Sequence, residues 1–204
     1  MALSKRKIQE MVAQLQKRFP NWRSFSSPPD PNFHSDEIDY KQNLSNKAKQ
    51  LLNPETFKAV FNSENGSQID PYETLLANIE TVGKAANLLY LSVPSSGDLS
   101  ILYSPNLDKP TFCQFFFDLL YGDGSSEERL ARYLDYVRAQ HLPSTWTFPT
   151  YYLFLCYPDT EIFIKPTITK SFLLRLGEEN RFSAQPTAES YGSIKAFFHG
   201  NYSG

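Results

Sequence analysis

Three residues near position 160 carry the side chains that a metal-dependent nuclease uses. Asp159 and Glu161 supply two carboxylates, and Lys165 follows the second carboxylate by four residues. In restriction-type nucleases, two carboxylates hold Mg²⁺ and a lysine stabilises the charge that develops on the phosphate. There the two acids are well separated and the glutamate and lysine nearly adjacent, which is the reverse of the spacing here. A divergent nuclease is therefore the alternative hypothesis, and the sequence leans away from an enzyme.

Other reactive side chains lack the neighbours that their chemistry requires. His34, His141 and His199 are isolated from one another, whereas a structural zinc site uses closely spaced pairs of Cys or His. Cys113 and Cys156 stand among apolar and aromatic residues, as a buried and inert thiol does. We therefore predict no metal ion and no cofactor.

A second set of residues has the chemistry of a nucleic-acid contact. Aromatic rings stack on bases, and guanidinium or ammonium groups contact phosphates. The competing interpretation is a core of rings with cations at its edge, which the equal numbers of acidic and basic residues from Ser126 onward favour. The candidate binding residues are Trp146, Tyr157, Lys165, Lys170, Arg175 and Arg181.

The elements that would position these residues are helices. Apolar residues recur at the helical period along most of the chain, beginning in the first twenty residues. Asn53-Pro54 and Asp70-Pro71 each pair a capping side chain with a proline suited to the first helical position. The pattern predicts an all-α or nearly all-α compact domain of some eight to ten helices, with little or no β-structure.

The most aromatic part of the chain is residues 142–166. Thr147-Phe148-Pro149 predicts a helix start, and the following residues up to Pro158 are apolar on nearly every side. A helix that is hydrophobic all round is a buried helix. The segment Glu161–Pro166 is expected to be short and extended, and Thr167 or Thr169 to cap the next helix, which Gly177 would end.

Composition divides the chain into three parts. Residues 1–20 form a basic helix, since residues 1–30 contain six Lys or Arg against two acids, although the whole chain has a formal charge of −2. Residues 21–35 are rich in Ser and Pro and are expected to be a linker or arm. Residues 36–204 form the helical domain.

The sequence also bears on localisation. No charged-then-apolar leader is present, and no apolar run approaches the roughly 18 residues that a membrane span needs. The two cysteines are too few for a disulfide framework and favour a reducing compartment. We expect a cytoplasmic protein without a membrane contact.

The last half of the chain resembles a helical domain found in bacterial and cyanobacterial proteins. The similarity covers residues 110–200 and rests on segments that include Glu128-Arg129-Leu130, Trp146, Lys165-Pro166 and Leu176-Gly177. Some proteins with this domain are associated with restriction and phage-defence systems of the methylcytosine-restriction AAA+ class. The resemblance implies a role beside DNA-targeting systems and transfers no catalytic residue.

Together these observations predict a non-catalytic binding or assembly module of a prokaryotic defence or DNA-processing system. Its expected partners are a protein and, through the basic and aromatic residues named above, nucleic acid. Two alternatives stay open: the divergent nuclease, and a purely structural scaffold that recruits a partner through its first helix.

Overall fold

The computed structural model describes residues 5–23, 31–63, 70–90 and 96–200. Over those ranges the chain is helical, contains no β-strand, and confirms the expected all-α class. The helices are α1 (Lys5–Arg18), α2 (Pro31–Phe33), α3 (Tyr40–Leu51), α4 (Pro54–Phe61), α5 (Pro71–Gly83), α6 (Lys109–Tyr121), α7 (Ser126–Ala139), α8 (Thr147–Cys156), α9 (Pro166–Leu176) and α10 (Ala188–Gly200). A π-helical turn, His34–Asp39, joins α2 to α3, and 3₁₀ turns occupy Ser100–Tyr103 and Glu179–Arg181.

Three helices begin with the same local device. Asn53, Asp70 and Asp108 each accept a backbone N–H of the following first turn, at 2.8, 3.0 and 3.1 Å, and each is followed by a proline at the first or second helical position. The side chain satisfies a donor that the helix cannot, and the proline lacks the N–H that would be unsatisfied there. The predicted starts of α4 and α5 are confirmed.

Helix α7 has a reciprocal cap. Ser125 Oγ accepts the N–H of Glu128 at 3.2 Å, and Glu128 Oε2 accepts the N–H of Ser125 at 2.7 Å. A glycine after a helix commonly takes the left-handed conformation, but Gly122, after α6, has a φ of −69°. The guanidinium of Arg129 donates to the carbonyls of Leu120 and Gly122 at 3.2 and 3.3 Å, which satisfies acceptors at the end of α6.

Helix α8 is the centre of the main core. Nearly every one of its residues is buried, as the all-round apolar pattern predicts. Its tyrosines keep their hydroxyls satisfied, since Tyr151 donates to the carbonyl of Val82 at 3.1 Å and Tyr152 to that of Ile79 at 2.8 Å. Gly83 permits this approach of α5, because a Cβ there would lie 2.9 Å from the Tyr152 hydroxyl.

A smaller core lies at the N-terminal side. Phe19, Trp22 and Phe33 are buried against one another, and the rings of Phe19 and Phe33 meet edge to face with centroids 5.1 Å apart. The second helical region starts at Pro31 rather than at the expected Asp36. Residues 24–30 of the expected linker lie outside the described residues, and the three-part division of the chain stays a prediction.

Residues 84–89, which follow α5, form turns and bends. Helix α8 starts at Thr147, as predicted, but no side chain caps it, since the preceding residue is Trp146. The expected cap of α9 by Thr167 or Thr169 is wrong, because Lys165 precedes that helix and makes no side-chain cap. None of the helices in the described ranges combines the length and apolarity that crossing a bilayer requires.

Candidate binding surface

Helix α9 is anchored along one side only. Thr169 and Leu173 are its buried residues. Pro166 occupies its first position, and Gly177 ends it, as predicted; the structure adds that Gly177 is left-handed, with a φ of 75°. The N–H of Glu178 then bonds the carbonyl of Leu173 at 2.9 Å, which closes the helix end.

The opposite side of α9 faces solvent, and we call it the outer face. It carries two hydroxyl groups, two cations and two aliphatic side chains, all exposed. Its residues are Thr167, Ile168, Lys170, Ser171, Leu174 and Arg175. The helix contains no acidic residue. Lys170 and Arg175 form no ion pair with any residue in the described ranges.

Three of the predicted binding residues therefore belong to one helix and its N-terminal flank. Lys165 precedes α9, and its ammonium lies 5.7 Å from the centroid of the Phe163 ring. Lys170 and Arg175 project from the outer face. The intervals of five residues between these cations and the absence of acids between Lys165 and Arg175 are visible in the sequence, and five residues place Lys170 and Arg175 at opposite edges of the outer face.

Arg181 is occupied by other parts of the protein. Its guanidinium bonds Glu178 at 2.7 Å and the Ser193 hydroxyl at 3.0 Å, and lies 5.1 Å from the centre of the Phe197 ring. These contacts fasten the 3₁₀ turn after α9 to α10. The side chain thus has a structural role where it stands.

The two predicted aromatic residues lie inward. Trp146 is only 1% exposed, and its Nε1–H donates to the carbonyl of Ser183 at 2.9 Å. Tyr157 is half-buried, and its hydroxyl donates to the carbonyl of Leu120 at 2.8 Å. The Trp146 ring is covered, so it has no face on which a base could stack.

The three residues of the alternative catalytic site lie in different environments. Asp159 is exposed, Lys165 flanks α9, and Glu161 is 7% exposed. Glu161 accepts the hydroxyl of Tyr191 at 2.7 Å and pairs with the ammonium of Lys195 at 3.2 Å. Within the described ranges, no group of three or more His, Cys, Asp or Glu side chains is arranged to hold a metal ion.

Lys195 is the hub of a polar cluster that sequence reasoning missed. Its Nζ donates to Ser126 Oγ at 2.7 Å and pairs with Glu127 at 3.0 Å as well as with Glu161. Burial raises the pKa of Glu127, but hydrogen bonds from Lys195 and the backbone outweigh it, so the net pKa lies below 4.5. Burial and the neighbouring Glu161 carboxylate raise the pKa of Tyr191. The cluster joins α7, the segment before α9, and α10.

The two cysteines are buried thiols, as the sequence suggested. Burial raises the pKa of Cys113 to about 12 and that of Cys156 to about 11. A thiol protonated at neutral pH is a poor nucleophile. Neither side chain is therefore a candidate for covalent chemistry.

A cleft lies beside α9, and we call it the α1/α9 cleft. Its volume is about 650 Å³. Its walls come from α1, the π-helical turn, the start of α3 and α9. The lining residues are Met11, Gln14, Leu15, Arg18, Phe19, Phe33, Glu37, Ile38, Lys41, Phe172 and Arg175.

A smaller cleft of about 360 Å³ lies at the other end of α9, between Tyr90 and Ile168. Lys165 also lines it. Both Tyr90 and Ile168 are well exposed, at 63% and 64%. This end of α9 thus presents apolar surface next to a cation.

Comparison of the chain with family models, with curated proteins and with solved structures found no match in any of the three.

Proposed function

We propose that the protein is a non-catalytic binding module that contacts nucleic acid through the outer face of α9, as part of a prokaryotic defence or DNA-processing assembly. The observation that carries the proposal is the chemistry of that face. Lys170 and Arg175 lack ion-pair partners among the described residues, Thr167 and Ser171 add hydroxyls, and no acid interrupts the helix. The cellular setting is part of the proposal and rests only on the resemblance of residues 110–200, since no family model, curated protein or solved structure matches the chain.

These side chains are the ones that contact a phosphate backbone. Most protein–DNA hydrogen bonds go to phosphate and sugar from Arg, Lys, Ser and Thr side chains. An exposed helix is also the element that the major groove of B-DNA admits. The outer face therefore matches the backbone-contacting part of a nucleic-acid interface in both composition and shape.

The net charge around α9 is positive, as a contact with nucleic acid requires. Residues 165–181 contain four cations and two acids, a formal charge of +2, whereas the whole chain has −2. The remaining residues are therefore net acidic as a whole, although the helix α1 is basic. A polyanion would be oriented towards the two basic parts of the surface, α9 and α1, and away from the rest.

Only a few phosphates can be neutralised by so small a face. We therefore expect weak binding with a shallow dependence on salt, since the slope of log K against log salt scales with the number of neutralised phosphates. Replacement of one contacting cation should lower that slope by about one unit.

The test is a fluorescence anisotropy titration on one panel of duplex DNA, single-stranded DNA and RNA, at several salt concentrations and with and without Mg²⁺. Lys170→Ala should weaken binding to every bound nucleic acid and lower the salt slope. Lys58→Ala is the matched control, because Lys58 is an exposed lysine on α4. Absence of binding at low salt, or equal loss in both variants, would refute the proposal.

A second candidate function is protein docking on the same face. Ile168 and Leu174 are 64% and 59% exposed, and such aliphatic side chains suit a protein partner better than a phosphate backbone. The double variant Ile168→Ser/Leu174→Ser separates the two functions. Nucleic-acid binding that survives the double substitution supports the nucleic-acid function. If no variant binds nucleic acid, protein docking by a structural scaffold is the function that remains.

The nuclease alternative is tested in the same panel. Mg²⁺-dependent cleavage that Lys165→Ala abolishes would favour it over the binding module. Lys165 is the better probe, because Glu161 is buried in an ion pair and its replacement would also disturb the fold.

A further inference from the structure

The α1/α9 cleft has the size of a small-molecule site. Its volume of about 650 Å³ falls within the range of roughly 300–1,000 Å³ that such sites occupy. It lies where the smaller core, built on Phe19 and Phe33, meets the main body at Phe172. A ligand there would contact both parts of the protein at once.

The body of the cleft is hydrocarbon and aromatic. Phe33 is held edge to face by Phe19, and Phe172 stacks on Phe198 with ring centroids 5.5 Å apart. Met11 and Leu15 of α1 complete this wall. Gln14 is the only neutral side chain in the wall that can form hydrogen bonds. The wall therefore suits an aliphatic chain rather than a base or a sugar, because the polar atoms of a base or a sugar need hydrogen-bond partners.

The rim of the cleft has more positive than negative charge. Glu37 is the one acid among the lining residues, and it is already paired with Arg18 at 3.1 Å and Lys41 at 3.2 Å. Arg175 is the third lining cation and forms no ion pair with the described residues. A guanidinium presents a planar pair of donors that matches a carboxylate. An anionic group at the rim would therefore complete the local charge balance.

Arg175 also borders a neighbouring cleft of about 300 Å³, which Glu10 lines. That carboxylate is engaged by Arg6 at 3.0 Å. Arg175 thus stands between two clefts, and the acids on both sides, Glu37 and Glu10, bond other cations. Among the described residues, no carboxylate bonds the Arg175 guanidinium, which can therefore bond an external anion.

The wall contains an uncommon backbone feature. Glu37 and Ile38 enter the cleft from the π-helical turn His34–Asp39. Such turns are rare within α-helices and occur frequently at functional sites. This is an observation independent of the charges, and it marks the same place.

From these features we propose that the α1/α9 cleft binds a single-chain amphiphile with a carboxylate head. The aliphatic chain packs against Leu15, Phe33 and Phe172, and the carboxylate bonds Arg175. This site overlaps the nucleic-acid contact proposed above only at Arg175, because Lys170 belongs to the outer face and does not line the cleft.

The experiment is isothermal titration of the full chain with dodecanoate below its micelle-forming concentration. We expect saturable binding of one molecule per chain and a rise in Tm, since a ligand that binds only the folded state stabilises it. Dodecyltrimethylammonium, with the same chain and a cationic head, should bind much more weakly. Vesicles of anionic lipid form a third arm, which distinguishes a free carboxylate from a membrane headgroup.

Three variants assign the contacts. Arg175→Ala should weaken dodecanoate binding about tenfold, as loss of a charged hydrogen bond does. Met11→Glu keeps a good helix former but places a like charge in the wall, so it should also weaken binding. Lys58→Ala should leave the affinity unchanged. Lys170→Ala should lower nucleic-acid binding alone, which keeps the failure of either proposal distinguishable from failure of the other.

Several outcomes would overturn the proposal. These are the absence of saturable dodecanoate binding, equal affinity for the cationic amphiphile, an affinity unaltered by both Arg175→Ala and Met11→Glu, and partition into anionic vesicles without binding of the free carboxylate.

Discussion

Helices α8 and α9 follow one another along the chain and have ten and eleven residues, yet their environments are opposite. Helix α8 contains most of the rings of its region and is buried on nearly every side. Helix α9 has one buried stripe and a broad solvent-facing side with two cations. In these two helices, aromatic density marks the interior, whereas an acid-free mixture of cations and hydroxyls marks the solvent-exposed face.

The largest expected effect on the free energy of unfolding comes from a substitution in α8. Tyr152→Ala should lower the free energy of unfolding by about 3–5 kcal/mol, because a fully buried ring and a hydrogen bond to the Ile79 carbonyl are lost. Tyr152→Phe removes only the hydroxyl and should cost about 1 kcal/mol. Urea denaturation measures both, and a cost below that of Tyr152→Phe for the alanine variant would contradict a central α8.

Glu161 lies in the segment between the two helices and should behave like an interior residue although it is charged. Glu161→Gln should cost about 2 kcal/mol, because Lys195 would lose one of two carboxylate partners in a mostly buried cluster. Asp159→Asn is the control, since Asp159 is exposed two residues away and should change stability by less than about 0.5 kcal/mol. Equal costs in urea denaturation would show that the Glu161 pair does not anchor the segment.

The same cluster predicts a dependence on pH. The folded-state pKa of Glu127 is depressed below 4.5, so its stabilising contribution is complete above that pH and is lost as pH falls through the folded pKa. Glu127→Gln should therefore flatten the decline of Tm in acid. Glu189→Gln, at an exposed acid of α10, is the comparison variant. A decline identical in all three proteins would argue against the Lys195–Glu127 pair.

The smallest effect is expected on the outer face of α9. Ile168→Ser and Leu174→Ser should each change the free energy of unfolding by less than about 0.5 kcal/mol, because both side chains are already more than half exposed. If the urea midpoints and slopes are unaltered, the outer face of α9 does not contribute to the stability of the fold. A loss as large as that of Glu161→Gln would show that this face packs against another part of the chain.

Local chemistry was readable from the sequence where neighbours along the chain determine it. The caps at Asn53 and Asp70, the end of α9 at Gly177 and the buried character of α8 all follow from residues within a few positions of one another. Short-range hydrogen bonds and the helical period determine such features. The all-α class is the sum of these local signals.

The candidate site was only partly predictable, because its details depend on distant residues. Lys195 meets Glu161 across 34 residues, and no local pattern announces that pair. Trp146 was grouped with surface cations because of its aromatic ring. In the structure its Nε1–H donates to the Ser183 carbonyl, and its ring is buried in the core. Lys170 and Arg175, whose side chains lack such distant partners, are the two whose exposure the sequence anticipated.

The π-helical turn has a consequence for how the N-terminal part of the protein tolerates insertions and deletions. Such a turn holds one residue more than the α-helical ladder would, and each residue rotates a helix by about 100°. A wider turn absorbs that extra residue, so excision of a single residue between His34 and Asp39 would restore regular winding and leave Phe33 on nearly the same side of the helix. Excision of one residue from the regular part of α3 would instead rotate all preceding residues by about 100° relative to the main core, so this turn is the place where the N-terminal part of the protein tolerates a change of length best.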